Sequence, residues 1–93
     1  MNMDAIQTQL KWDASARAKF TEMIGKIPLF HREIAQQVAE KKAIQNALER
    51  GASCVEEADI VRAFFSEVPK AFYSLMVRLL DEVGFNYKKY GRQ

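Results

Sequence analysis

Two residues in this chain of 93 are of types that do nucleophilic or metal chemistry, and there is one of each: Cys54 and His31. A thiolate nucleophile needs a base within hydrogen-bond reach, and a zinc or iron–sulfur site needs several thiolate or imidazole ligands. A single cysteine can form neither an internal disulfide nor a multi-thiolate site, and nothing in the sequence brings His31 to Cys54. Cys54 therefore reads as a small buried hydrophobe. Glu56, Glu57 and Asp59 cluster at the start of an apolar-periodic segment, where they favour the positive end of a helix dipole. No glycine-rich phosphate loop is present. No catalytic residue, metal or cofactor is expected of this chain alone, and if it serves an enzyme it does so as an accessory part.

The net charge of +2 is too small to identify a partner, but its distribution is informative. Residues 1–32 carry five basic and three acidic groups, residues 33–68 four and seven, and residues 69–93 five and two. An acidic middle between mildly basic ends argues against a continuous nucleic-acid-binding face. No apolar run approaches the ~20 residues that span a bilayer. The segment MNMDAIQTQL lacks the apolar stretch of a signal peptide, so the expected compartment is the cytoplasm. With 48% hydrophobic residues, the chain has enough apolar material for one modest core.

The elements that must position these residues are helical throughout. Apolar residues recur at three- and four-residue spacing, and no segment alternates as a strand does. The breaks at Gly25–Pro28, Gly51 and Pro69 predict helices near 14–24, 28–50, 56–66 and 69–83. The expectation is an all-α, four-helix domain with a long central helix at about 28–50. Gly25 suits a left-handed helix end, and Gly84 ends the last helix. Residues 1–10 read as a flexible tail, 11–84 as a single helical domain and 85–93 as a basic aromatic tail. That tail is expected to fold its aromatics onto the domain and leave Lys88 and Lys89 solvated. Phe20, Ile27, Phe30, Ile34, Phe64, Leu75 and Leu79 form the expected core.

The long helix offers two faces. Phe30, Ile34, Val38, Ile44 and Leu48 make an apolar stripe interrupted by Gln37, Lys41 and Gln45. Either the stripe turns and Lys41 buries only its stem, or this segment faces a cavity or a partner. Ala35, Ala39, Ala43 and Ala47 form a second row, small enough for another helix to approach closely. The alternative reading of the row is alanine's helix propensity on an exposed face.

The pattern Trp12, Ala16, Ile27–Pro28, Phe30, Arg32, Glu40, Ala43 resembles the C-terminal domain of the B subunit of light-independent protochlorophyllide reductase. The resemblance covers about residues 11–65. Two departures stand out: Gly51 lies eight residues past Ala43, about one turn later than in the family, and Glu56 replaces the usual threonine cap. In that nitrogenase-like reductase the catalytic cluster and proton donor lie outside the C-terminal domain. The resemblance thus implies a non-catalytic accessory or protein-interaction domain, serving a nitrogenase-like or other redox system. The motif places Arg32 and Glu40 on the long helix, too far apart to form an i, i+4 pair. Arg32 is expected to cap or pair within the fold, and the Ala39–Ala43 region to make a close helix contact. The candidate interaction residues are Arg32, Gln37, Ala39, Glu40, Lys41 and Ala43.

The order short helix, long helix, short helix beginning VEEADIVRAF also looks like a histone fold, which would make this a DNA-binding dimer crossing at the central helix. The alanine row fits such a crossing; the acidic Glu56, Glu57 and Asp59 do not fit the DNA. A protein partner or self-association is the expectation, with no specific nucleic acid and no membrane.

Overall fold

The computed structural model describes residues 10–90 and is all-α around a long helix. Its helices are α1 (Ala14–Gly25), α2 (Leu29–Glu49), α3 (Glu57–Glu67), α4 (Tyr73–Val83) and the four-residue α5 (Tyr87–Tyr90). A short 3₁₀ turn, Lys70–Phe72, leads into α4. Two extended pairs, β1 (Lys11–Trp12) and β2 (Cys54–Val55), lie parallel with Lys11 opposite Cys54 and Trp12 opposite Val55. The Asp13 amide extends the bridge by donating to the Val55 carbonyl at 2.9 Å. This bridge carries no alternation signal, because two residues are too few to show one. The expected loose tail at 1–9 lies outside the described residues, whereas Leu10 packs on the core.

Local chemistry sets the helix ends. The Asp13 carboxylate accepts from the Ala16 amide at 2.9 Å and caps α1. Gly25, expected to be left-handed, is not: positive φ occurs at Gly51 (74°) and Gly84 (97°). The chain instead leaves α1 through a helical Lys26, whose amide donates back to Met23 and Ile24. Gly51 allows the Ala52 amide to reach the Ala47 carbonyl at 2.9 Å, and Gly84 allows Phe85 to reach Leu80 at 2.9 Å. Glu56 and Asp59 form a reciprocal capping box at the start of α3. Pro69 breaks the chain as its missing N–H requires.

The core forms where α3 folds back along α2. Ala39, Ala43 and Ala47 are buried, and they share one cluster with Phe20, Met23, Val55, Ile60, Val61, Phe64, Met76, Leu80 and Phe85. The close helix contact of the Ala39–Ala43 region is therefore intramolecular. Phe20 and Phe64 are core residues as expected, and their rings lie 6.0 Å apart. Phe30, Ile34 and Leu75 are not: they are 82%, 67% and 44% exposed. Ile27 and Leu79 pack on the core edge, partly buried. The reason is geometric. Nine residues at 100° each put Ala39 half a turn round from Phe30, so turning the alanine row to α3 turns the Phe30 stripe outward. Small residues won the inward position because they let the helix backbones approach closely. The terminal aromatics fold onto the domain: Phe85 is buried, and Tyr87 and Tyr90 pack against the core. Among the described residues no helix is long and apolar enough to cross a membrane.

Candidate functional site

Most residues of the motif Trp12…Ala43 hold α1 against α2. Arg32 donates from Nε (3.2 Å) and Nη2 (3.0 Å) to the Ile27 carbonyl, and from Nη2 to the Gly25 carbonyl at 3.0 Å. It thereby caps the end of α1, satisfying carbonyls that have no helical partner. Glu40 lies 3.6 Å from Arg17, whose guanidinium sits 4.6 Å from the Trp12 ring centroid. Trp12 in turn packs on Phe20 at 5.3 Å. Ala16 and Ala43 are buried. Two candidate interaction residues, Arg32 and Glu40, are thus engaged within the fold, and two more, Ala39 and Ala43, are 4% and 0% exposed.

Phe30 is the exception among the large side chains of that motif. It belongs to a stripe of exposed apolar residues on the first three turns of α2, with Ile34 and Val38 (41%); Leu29 (76%) is exposed too but lies about 100° round the helix from Phe30, half a turn from Val38. Gln37 and Lys41 lie exposed on the same face, with no hydrogen bond or ion pair among the described residues. A helix that turns such a stripe to water has left unused the side that normally drives packing. The second half of the stripe behaves ordinarily, since Ile44 is buried and Leu48 packs on the core. A separate exposed apolar pair, Phe72 and Leu75, lies at the start of α4.

The residue types capable of chemistry do not converge. His31 is exposed on the first turn of α2, beside the Phe30 ring, while Cys54 is half-buried beyond the other end of this helix. The helix between them is about 30 Å long at 1.5 Å per residue. Among the described residues no group of three or more His, Cys, Asp or Glu side chains could hold a metal.

Two polar clusters fasten the frame behind the stripe. Asp59, fully buried, accepts from Arg50 Nε at 2.8 Å, from Arg50 Nη2 at 2.7 Å and from the Glu56 amide at 2.9 Å. Arg50 also donates to Glu56 (2.7 Å) and to the Cys54 carbonyl (3.1 Å). The hydrogen bonds to Asp59 raise the Arg50 pKa further above its already high value, so the guanidinium stays charged. Lys19 donates to Glu57 at 2.9 Å and to the Gly84 carbonyl at 3.0 Å, while Glu57 accepts from the Asn86 amide at 2.9 Å. The sequence places the acidic groups correctly at the start of α3, but it does not show that Asp59 is buried or that Arg50 reaches it.

A family model described as protein of unknown function (DUF2621) matches residues 3–93. No curated protein and no solved structure matches the chain.

Proposed function

Because the chain belongs to that family, whose description names no activity, we propose its function from the geometry: a non-catalytic protein-interaction domain that presents the first three turns of α2. The observation that carries this reading is the exposed stripe Phe30, Ile34 and Val38 on an otherwise anchored helix. Arg32 and Glu40 fix the helix beside the stripe, so the apolar side chains are displayed on a preorganised element. The resemblance of residues 11–65 to a reductase accessory domain supports the same non-catalytic role. On that reading the partner belongs to a nitrogenase-like or other redox system. The DNA-binding alternative loses the feature that favoured it, because the alanine row is covered by α3 of the same chain.

Site-specific photo-crosslinking tests the proposal. A photo-reactive residue at positions 30, 34 or 38 should yield discrete protein adducts in the native host, and one at exposed Ser66 on α3 should not. The absence of adducts at all three stripe positions would refute the reading.

A further inference from the structure

We infer that the occupant of this stripe is a second copy of the chain, with the two α2 helices antiparallel about a two-fold axis near Gln37. The inference rests on the interaction reading above and names its partner. Area is the first argument. At 82%, 67% and 41% exposure, Phe30, Ile34 and Val38 present roughly 400 Å² of apolar surface, within the range of a monomer's largest patch. Two such patches bring about 800 Å² together, and the flanking Glu33, Gln37 and Lys41 supply the rest of the ~1,000 Å² expected of a specific interface.

Charge is the second argument. Arg32 is tied to the end of α1 and Glu40 lies beside Arg17. The charges left along the stripe are Glu33 and Lys41, which form no ion pair among the described residues and are both exposed. Each lies four residues, about one turn, from Gln37, on opposite sides. The face is therefore acidic towards one end and basic towards the other. A parallel pair would set like charges together. An antiparallel pair sets Glu33 of each copy against Lys41 of the other, and the Ile34 and Val38 side chains between them close the apolar centre. Such a contact is isologous and closed, so it stops at two copies.

Sedimentation equilibrium and a charge-swap series test this. The wild-type chain should run at twice its 10.7 kDa mass in the micromolar range. Ile34→Asp should be monomeric with an unchanged helical spectrum, because Ile34 contributes little to the fold. Glu33→Lys and Lys41→Glu should each weaken association about fivefold at low salt, and the double swap should restore it. Gln37→Cys in a Cys54→Ser background should oxidise to a covalent dimer. A monomer at every concentration, or a dimer indifferent to Ile34→Asp, overturns the inference. If a monomeric wild type still gives adducts to another protein at positions 30 and 34, self-pairing falls and the interaction reading stands. If the monomer gives none, both fall.

Discussion

Removing Arg50 should cost more than removing the carboxylate it binds. Arg50→Ala leaves the Asp59 carboxylate fully buried with the Glu56 amide as its one remaining partner. Breaking a buried pair from that side costs about 3–5 kcal/mol. Asp59→Ala leaves the guanidinium, whose side chain is 35% exposed, free to turn into water. What is lost is one side of the capping box, about 1 kcal/mol, and a similar amount from the hydrogen bonds, about 2 kcal/mol in all. The Glu56 arm, with a side chain 58% exposed, adds little. The double variant should resemble Asp59→Ala, leaving a coupling of about 3–5 kcal/mol between the two positions. Urea unfolding followed by circular dichroism reads these values, with the m-value unchanged. By heat, Arg50→Ala should melt roughly 12–40 °C below wild type, at about 4–8 °C per kcal/mol for a domain of this size. If Arg50→Ala costs under ~1 kcal/mol, or if the two single effects simply add, Asp59 is not the buried anchor described here.

Other substitutions separate the two faces of α2 and the glycines. Phe20→Ala should lose about 3–5 kcal/mol in urea unfolding, while Phe30→Ala should stay within about 0.5 kcal/mol for the monomer; equal losses would place Phe30 in the core. Ala43→Leu, at a fully buried position, should cost about 1–3 kcal/mol by forcing α3 away, whereas an unchanged melting curve would mean the helices are not in close contact there. Gly25→Ala should be neutral or stabilising, up to about 1 kcal/mol, because nothing lies near its added methyl and its φ is ordinary. Gly84→Ala should destabilise by about 1 kcal/mol or more, because φ there is 97°; thermal melts that rank the two glycines the other way would refute this account of the turns.

The helices were legible because each is bounded by residues whose effect is local. Asp13, Pro28, Gly51, Pro69 and Gly84 act through a cap, a missing donor or a left-handed backbone, and the chain obeys them wherever they fall. Which face of α2 turns inward is not local. The stripe and the alanine row are both regular along the sequence, and the choice depends on the closeness α3 can reach, a property of two segments together. That is why Phe20 and Phe64 were read correctly while Phe30 and Ile34 were placed inside. Of the candidate residues, Arg32 could be recognised as a capping group because its targets lie within seven residues. The pairing of Glu40 with Arg17 and the burial of Asp59 needed contacts across the fold. Gln37 and Lys41 drew attention as polar breaks in a stripe expected to be buried, and they turn out to mark the exposed half of that stripe.

The bridge between Lys11–Trp12 and Cys54–Val55 ties the segment before α1 to the segment before α3 across 43 residues. The connection from α2 to α3 spans far fewer, so the entropy of closing it is smaller. The helical hairpin is therefore expected to form before its extended edge at Val55 finds a partner. Lys11–Trp12 is made before the segment it pairs with, and until the two meet the side of Phe20 that faces Trp12 stays open to water. The segment behaves as a latch, closed last and released first. Native-state hydrogen exchange reads that order directly: the Asp13 amide should exchange through a smaller opening than the amide of Phe64, and equal protection at the two would mean that the latch and the hairpin open as one unit.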